Sequence, residues 1–389
     1  MTEHIPLTFD EARDLFPHAG KVAYFNSASY GPFCRPVADA IEENVAIRVS
    51  ADEDDSHTAF GTRAELRKIY AGFIGAAEHE VGVGSNTSFG LNIAAFGLPL
   101  AAGDEILVSD VEFPAVIYTF RAAAEARGLT LTFVPSTGRT FDIEALEAAI
   151  SDRTRVIALS WVQFFNGFKL DLAAIGALCR KHDIYFVVDG IQGMGVEPID
   201  VGALGIDIFS SGCQKWMLAP QGCGFFYLSE KVMKQLTMPF MSWLGVDWKM
   251  DFTDLFKYDL PWIESAARFE LGYYAVLNIL AMRAACDLFS RLGIARIQRH
   301  NYDLIDRLAD YVDKSDYYQI TSSMKPLHRS SIFTFSCREN VELHRYILKR
   351  KIILVRREGS IRVSVHLFNN EDDIDRLIET LEDFRREKS

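Results

Sequence analysis

Between about residues 60 and 230, short apolar runs rich in β-branched and aromatic residues alternate with segments in which apolar residues recur at helical spacing. This alternation is typical of strands joined by crossover helices, so it predicts a parallel sheet with helices on its faces. The predicted strands are EILVSD, LTFVPS, RVIALSWV, IYFVVDG, IDIFSSG and GCGFFYL, and the predicted helices cover residues 88–96, 115–127, 143–150 and 172–182.

The pattern changes after about residue 264. Long amphipathic helices are followed by the runs SIFTFSC and SIRVSVHLF, and then by a charged helix over residues 372–385. This order predicts a smaller α+β domain. We therefore expect a large domain over residues 31–264 and a small domain over residues 265–389. The segment 1–30 is expected to pack with the small domain and the active site.

Composition narrows the class of protein. The 389 residues are 49% hydrophobic and 24% charged, as in ordinary globular proteins. A net charge of −12 opposes binding to nucleic acid. The apolar stretches fall short of the roughly 20 residues that cross a bilayer, and the first residues lack the order of a secretory signal. The six scattered cysteines suggest reduced thiols and no metal site. We expect a cytoplasmic protein without membrane or nucleic-acid partners.

Asp189 and Lys215 are the strongest candidates for catalysis. Asp189 closes the run IYFVVD, and Lys215 follows the next predicted strand, which places both at one edge of the sheet. Pyridoxal phosphate (PLP) chemistry requires a lysine that forms a Schiff base and a carboxylate that keeps the pyridine nitrogen protonated. Separately, the two residues could be a surface lysine and a helix cap. Together with Gln192, they favour a PLP site.

A turn of small polar residues, SNTS, precedes the helix predicted at residue 88. The free N–H groups of a helix start, with the hydroxyl groups of Thr87 and Ser88, can bind the phosphate of the cofactor. The alternative interpretation is an N-cap that only begins the helix.

The whole chain resembles a known family through motifs that occur in order: YFNSASYGP, NTSFGLN, SDVEFPA, VDGIQG, GCQKWMLAPQGCGFFY, RFELGYY and IRVSVHLFNNEDDIDRL. They are similar to those of the class V aminotransferase family of fold-type I PLP-dependent enzymes, particularly its cysteine desulfurase and isopenicillin-N-epimerase-like branch. The resemblance implies an α/β fold of the PLP-dependent transferase type, with a mostly parallel central sheet in the large domain and a smaller α+β C-terminal domain. It also implies a homodimer with shared active sites.

The resemblance assigns roles to individual residues. Lys215 becomes the Schiff-base lysine and Arg362 the residue that binds the substrate α-carboxylate. The implied cofactor-binding residues are Thr87, Ser88, Phe113, Asp189, Gln192, Gln214, Lys215 and Tyr273, the last of these from the neighbouring subunit. The implied substrate-binding residues are Arg362, Tyr30 and Asn26. The family asparagine near the phenolic oxygen aligns with Phe164, and Asn166 is the alternative two positions later.

Three departures from the family affect the expected reaction. Phe113 stands where desulfurases usually have a histidine, and a phenyl ring can stack but cannot transfer a proton. Acid–base catalysis then requires Lys215 or another group, such as Tyr30 or a tyrosine from the partner subunit. Gln214 replaces a second histidine and keeps a hydrogen bond without the charge. The segment between Arg356 and Arg362 contains no cysteine. Transfer of sulfur through a persulfide requires an accessible thiolate, so ordinary desulfurase activity is not expected.

The expected protein is a PLP-dependent enzyme that acts on a free amino acid. We favour a lyase that removes a substituent from Cβ, for example by cleaving a C–S bond after Lys215 takes the α-proton. An epimerase or racemase is an alternative because the motif QKW resembles that branch, and an aminotransferase uses the same proton shuttle. A PLP-fold protein without catalysis belongs to another class, and the presence of Lys215, Asp189 and Arg362 argues against it.

Overall fold

The computed structural model describes residues 5–51, 56–272 and 275–388. The α-helices are α1 (Phe9–Asp14), α2 (Arg35–Ser50), α3 (Ser56–Ile74), α4 (Thr87–Gly97), α5 (Pro114–Arg127), α6 (Ile143–Ala149), α7 (Leu172–Lys181), α8 (Val201–Leu204), α9 (Glu230–Gln235), α10 (Val276–Leu292), α11 (Ile294–Asp313), α12 (Asn340–Lys349) and α13 (Glu371–Lys388). The strands are β1 (Ala23–Tyr24), β2 (Val81–Gly84), β3 (Glu105–Ser109), β4 (Thr130–Val134), β5 (Thr154–Ser160), β6 (Tyr185–Asp189), β7 (Ile208–Gly212), β8 (Gly224–Leu228), β9 (Gln319–Ile320), β10 (Ile332–Ser336), β11 (Ile352–Ile353), β12 (Val355–Arg357) and β13 (Ser360–Ser364).

The central sheet has the strand order β2-β8-β7-β6-β5-β3-β4. The five strands β3 to β7 pair with one another in parallel, as the sequence pattern predicts. The run GCGFFYL forms β8, which is antiparallel to both β2 and β7 and therefore departs from the predicted parallel arrangement. The physical reason is the connection, because no helix joins β7 to β8 and a parallel crossover usually requires one.

Alternate residues of the sheet point into two apolar layers. Ile106 and Val108 contribute to a core formed with α4 and α5. Leu107, between them in β3, contributes to the core on the other face, with residues of α2, α3 and α7. The side-chain periodicity of the strands thus buries both faces, which holds the loops at the strand ends on a rigid support.

Local signals set the bounds of the helices around these loops. α5 begins with Pro114, whose missing N–H is not needed in a first turn, and ends before Gly128 in the left-handed region at φ 67°. α4 begins after Asn86, whose side chain accepts a hydrogen bond from a main-chain N–H of the first turn. These features fix the start of two helices that face the carboxyl edge of the sheet.

A second sheet of four antiparallel strands has the order β12-β13-β10-β9, and its apolar core includes residues of α11, α12 and α13. The segment before α2 is attached to this region, because Ala23 and Tyr24 of β1 pair in parallel with β11, and Asn26 bridges to Ser364. The division into units at residues 31 and 265 stays a prediction. Within the described ranges, no helix combines the length and apolar character needed to span a membrane.

Candidate active site

The candidate residues gather at the carboxyl edge of the central sheet. Asp189 is the last residue of β6, and Lys215 follows the end of β7. Thr87 begins α4 and contacts the same edge, because its carbonyl oxygen accepts a hydrogen bond of 2.7 Å from Ser210 Oγ in β7. The edge at which parallel strands end is where ligands bind in open α/β sheets.

Asp189 is a buried carboxylate with one oxygen available. It is 2% exposed, and its Oδ1 accepts a hydrogen bond of 2.9 Å from the main-chain N–H of Ile191. Its Oδ2 has no hydrogen-bond donor in the described part of the chain. Burial raises the pKa of Asp189 to about 6, although the Ile191 hydrogen bond and the charge of Lys215 act in the opposite direction. The free oxygen can accept a hydrogen bond from a ligand.

Lys215 carries an amine that makes no hydrogen bond or ion pair with the described residues. Burial lowers its pKa to about 8; the Asp189 charge opposes this shift, and the charges of Arg362 and Arg357 add to it. Its Nζ lies 5.4 Å from the ring centre of Phe113. Among the described residues, no carboxylate oxygen lies within 4.0 Å of Lys215 Nζ, the distance that defines an ion pair. Lys215 and Asp189 therefore influence each other through space while both remain free to contact different atoms of one ligand.

Gln192 is held in one orientation by two hydrogen bonds. Its Oε1 accepts a hydrogen bond of 2.9 Å from the indole Nε1 of Trp216, and its Nε2 donates to the carbonyl oxygen of Ala28 at 3.1 Å. Because the indole N–H can only donate, the orientation of the amide is determined. Trp216 is fixed in turn, since its carbonyl oxygen lies 2.7 Å from Nε2 of the buried His366. One N–H of the Gln192 amide remains for a ligand.

The start of α4 has the features of an anion site. The Thr87 hydroxyl oxygen accepts a hydrogen bond of 2.9 Å from the N–H of Gly212 and keeps its own proton to donate. The Ser88 hydroxyl makes no hydrogen bond among the described residues. Gln214 Oε1 is buried and has no hydrogen-bond partner in the part of the chain that the structure describes, and rotation of this amide would present its N–H groups instead. Helix N–H groups, hydroxyl groups and an amide together suit a phosphate.

Arg362 of β13 is a buried guanidinium without a carboxylate partner in the described residues. It is 1% exposed and donates to the carbonyl oxygen of Phe164 and, at 2.7 Å, to Ser29 Oγ. Ser29 Oγ in turn donates to Oδ1 of Asn26 at 2.7 Å, which links Asn26 to the arginine. Burial lowers the pKa of Arg362 to about 9, with a smaller contribution from Arg357. A buried unpaired charge is costly, so this group suits an anionic substrate.

The two positions that aligned with the family asparagine have different surroundings. The Phe164 ring lies 5.2 Å from the Phe113 ring at 74°, so it lines the site. The Asn166 amide is used within its loop, because Oδ1 accepts from the N–H of Phe168 at 3.1 Å and Nδ2 donates to the carbonyl oxygen of Arg139 at 3.3 Å. An aromatic surface therefore stands where the family has a polar group.

The segment that carries Tyr30 touches the lysine loop. Tyr30 is 50% exposed, and the N–H of the following Gly31 donates to the carbonyl oxygen of Gln214 at 2.8 Å. A Cβ atom on Gly31 would lie 2.3 Å from the carbonyl oxygen of Lys215, so only glycine fits this approach. Tyr273, the candidate for the neighbouring site, lies outside the described residues.

Sequence reasoning missed Glu112, although it stands in the quoted motif SDVEFPA. Its carboxyl group is buried and accepts hydrogen bonds from the Ser160 N–H at 3.0 Å, from the Ser160 hydroxyl and from Gln163 Nε2 at 3.0 Å. Burial raises the pKa of Glu112 to about 7, and the charge of Asp189 adds to this effect. Its position directly before Phe113 was the available signal, but a lone glutamate in sequence resembles a surface residue.

The donor set as a whole fits PLP. This cofactor offers a phosphate, a pyridine nitrogen, a phenolic oxygen and an aldehyde. The chain offers an anion site at α4, a free carboxylate oxygen, an amide N–H and an unpaired amine at one edge of the sheet. The buried guanidinium remains for a carboxylate of the substrate.

Comparisons with known proteins agree with this chemistry. A probable cysteine desulfurase of Methanothermobacter thermautotrophicus is 28% identical over 399 residues, covering 97% of this chain and 98% of the relative. The isopenicillin N epimerase of Amycolatopsis lactamdurans is 32% identical over 231 residues, covering 57% of this chain and 58% of the relative.

Solved structures of C-DES are similar in fold. A C-DES mutant with glycine covalently linked to its PLP cofactor matches at a TM-score of 0.87 and 22% identity, covering 95% of this chain and 98% of that one. The complex between the cystine C-S lyase C-DES and its product cysteine persulfide matches at a TM-score of 0.85 and 23% identity, covering 94% of this chain and 98% of that one. The likeness confirms the predicted fold class.

The family model described as Aminotransferase class-V matches residues 23–377. The match spans the central sheet, the four-stranded sheet and every candidate residue described above. It confirms the resemblance found in the motifs, and with it the expectation of an enzyme whose cofactor is PLP. The chain belongs to the class V aminotransferase family of PLP-dependent enzymes.

Proposed function

We propose that this enzyme is a lyase that removes a substituent from Cβ of a free amino acid, with the C–S bond of a sulfur conjugate as the favoured target. One observation carries the proposal. The amine of Lys215, which has no ion-pair partner among the described residues, faces a phenyl ring that cannot exchange protons, while every cysteine of the chain is a poor nucleophile. This combination suits elimination from the substrate better than transfer of sulfur to the enzyme.

In this proposal the chain holds PLP through the residues already placed at the sheet edge. Asp189 Oδ2 would accept a hydrogen bond from the pyridine nitrogen, Gln192 would donate to the phenolic oxygen, and Phe113 would provide an aromatic surface for the ring. The phosphate contacts are Thr87, Ser88 and Gln214. When bound, PLP supplies the electron sink that accepts the charge left at the substrate Cα.

Arg362 and Lys215 then act on the substrate. Arg362 binds the α-carboxylate with its planar guanidinium, which Phe164 and Ser29 hold in place. Lys215 Nζ takes the α-proton, and a lowered pKa of about 8 makes the neutral amine available near neutral pH. The Cβ–S bond breaks, and Lys215 returns the proton to the departing sulfur. With one water consumed afterwards, the products are a thiol, pyruvate and ammonium.

The cysteines argue against a persulfide on the enzyme. Burial raises the pKa of all six thiols, for example to about 12 for Cys286 and to about 11 for Cys337. Five of them are buried. The segment that carries the nucleophilic cysteine in desulfurases is here the hairpin of β12 and β13, which contains none. Because the thiolate is the nucleophile, sulfur must leave with a fragment of the substrate.

The relatives support different reactions. C-DES is named a cystine C-S lyase, which favours elimination. The isopenicillin N epimerase favours inversion at Cα, which requires a second acid opposite Lys215. Phe113 and Phe164 provide no exchangeable proton on that side, so we rank the epimerase second.

A single panel of substrates tests the proposal. The holoenzyme is incubated in D2O with L-cystine, S-substituted L-cysteines and L-alanine, and thiol, pyruvate, ammonia, deuterium at Cα and the D-enantiomer are measured. A lyase releases pyruvate and ammonia in equal amounts, together with an equal amount of thiol from the S-substituted cysteines or of cysteine persulfide from cystine. Formation of the D-enantiomer without thiol would replace the proposal with an epimerase, and keto acid that requires an added amino acceptor would replace it with an aminotransferase. The Lys215→Ala variant is the negative control.

We also propose that the active unit is a homodimer with shared sites. Aromatic side chains before the RFELGYY motif are strongly exposed, with Phe256 at 84%, Tyr258 at 85% and Trp262 at 53%. Exposed aromatic residues of this kind are enriched in subunit interfaces.

A further inference from the structure

The hairpin of β12 and β13 presents a second arginine beside Arg362. In the antiparallel register, Val355 pairs with Arg362 and Arg357 pairs with Ser360. Paired residues and residues two apart point to the same face of a sheet. Arg357 therefore lies on the face of Arg362, at the exposed edge of the sheet, and Arg356 lies on the opposite face.

The turn of this hairpin is held by hydrogen bonds to three other segments of the chain. Arg139 Nη1 donates to the carbonyl oxygen of Glu358 at 2.9 Å, and Thr321 Oγ1 donates to Ser360 Oγ at 2.9 Å. Asn340 Nδ2 donates to the carbonyl oxygen of Gly359. A turn held in this way positions the Arg357 main chain before a ligand arrives, which lowers the entropic cost of binding.

The charge of Arg357 has no ion-pair partner in the described part of the chain. Its guanidinium makes no hydrogen bond or ion pair within residues 5–51, 56–272 and 275–388. Its positive charge is felt at both Lys215 and Arg362: burial is the main cause of their lowered pKa values, and Arg357 adds to both. Arg362 also has no carboxylate partner there. The guanidinium groups of Arg357 and Arg362, on one face of the sheet, can therefore each bind an anion.

We propose that Arg357 is a specificity residue that binds a carboxylate at the far end of the substrate side chain. The inference rests on the proposed function, because it assumes that Arg362 takes the α-carboxylate. Diagonal neighbours in an antiparallel pair are about 7–8 Å apart, so the two carboxylates belong on opposite ends of one amino acid. The substrate class is then an S-conjugate of cysteine, or a similar amino acid, with an acidic side-chain terminus.

Arginine suits this role because its planar group binds a carboxylate through two parallel hydrogen bonds. Arg357 is exposed, so solvent and salt weaken the attraction. The preference for an acidic side chain is therefore modest and decreases at high ionic strength, in contrast to binding at the buried Arg362.

Two ligands of the same shape separate charge from size. S-carboxymethyl-L-cysteine and S-carbamoylmethyl-L-cysteine differ by a carboxylate in place of an amide. Their dissociation constants are measured by calorimetry on PLP-loaded Lys215→Ala protein, in which binding is uncoupled from turnover. The same measurement is repeated with Arg357→Gln added, and with Arg356→Gln added as the matched control from the same strand. In parallel, kcat/KM for both ligands is compared between the parent enzyme, Arg357→Gln and Arg356→Gln.

We expect the carboxylate ligand to bind about tenfold more tightly than the amide ligand. Arg357→Gln should reduce this preference to about twofold or less, and Arg356→Gln should leave it unchanged. An equal loss in both variants, or no preference in the parent, would overturn the role of Arg357. If the preference is present but neither ligand is cleaved, Arg357 retains its role and the lyase proposal fails. If both ligands are cleaved at equal kcat/KM and no binding preference is found, the lyase proposal stands and the role of Arg357 is wrong.

Discussion

Ser160 donates two hydrogen bonds to the buried carboxyl group of Glu112, one from its main-chain N–H at 3.0 Å and one from its hydroxyl group. Ser160 is also the register partner of Asp189 in the adjacent strand β6. Glu112 therefore supports the end of β5, next to the strand end that carries Asp189, the predicted partner of the cofactor ring. Three hydrogen-bond donors around one buried carboxyl group make this a site where a change of protonation affects the fold.

Replacing Glu112 by glutamine should make the stability of the apoenzyme less dependent on pH. Burial raises the Glu112 pKa from 4.5 to about 7, so its contribution is present below pH 4.5 and is lost as pH rises through about 7. We expect the parent to lose about 2 kcal/mol more free energy of unfolding between pH 5 and pH 8 than Glu112→Gln. Urea unfolding at both pH values measures this difference. The control is Glu125→Gln, an exposed position, and equal pH slopes in Glu112→Gln and the parent would contradict the prediction.

Replacing Lys215 by alanine should abolish the covalent attachment of PLP. Only an amine can bond to the aldehyde, and the folded core does not depend on this side chain. Mass spectrometry after borohydride reduction should find the pyridoxyl group on Lys215 in the parent and on no residue in the variant. Lys181→Ala, at an exposed position, should behave as the parent. A labelled peptide from another lysine would show that the assignment is wrong.

Replacing Asp189 by asparagine should leave PLP bound but slow the loss of the α-proton. A neutral amide cannot keep the pyridine nitrogen protonated, so the electron sink weakens. We expect exchange of the α-hydrogen in D2O to fall about a hundredfold or more, while the cofactor absorbance stays. Asp183→Asn, on an exposed turn, serves as the control. Exchange within a few-fold of the parent would exclude Asp189 as the ring partner.

Replacing Arg362 by lysine should weaken substrate binding although the charge is retained. Lysine lacks the planar fork that meets a carboxylate and that also contacts Phe164 and Ser29. We expect KM to rise about tenfold or more, with a smaller change in kcat. Steady-state kinetics with the best substrate of the panel measures both, and Arg356→Lys is the control. A rise in KM of the same size in both variants would indicate a general loss of positive charge.

Mixing two inactive variants should restore activity if the sites are shared between subunits. Lys215→Ala lacks the catalytic amine, and Tyr273→Ala lacks the group that we expect to reach the neighbouring site. A mixed dimer contains one site with both residues intact, so about a quarter of the parent activity is expected for random exchange of equal amounts. Sedimentation establishes the dimer first, and Tyr273→Ala must be impaired by itself. A fully active monomer, or no recovery after verified exchange, would contradict the prediction.

Much of the site could be predicted from the sequence because its chemistry is local. Asp189 ends an apolar run and Lys215 follows the next one, and the carboxyl ends of parallel strands meet at one edge. The residue types also indicate the class of reaction, because a carboxylate at the end of one strand and an amine after the next strand are the groups that PLP requires. The strands β3 to β7 were equally visible, because each alternates with a helix.

Other features depend on contacts between distant segments. The direction of β8 depends on its connection to β7, which contains no helix. The apolar residues of a strand do not show whether the strand is parallel or antiparallel to its neighbour. Glu112 acquired its raised pKa from burial among groups 48 and 51 residues away in the chain, and a lone glutamate carries no sign of such burial. Arg357 and Arg356 are adjacent and chemically identical in sequence. Only the pairing of β12 with β13 decides that Arg357 shares a face with Arg362, because a shift of register by one residue would exchange the two.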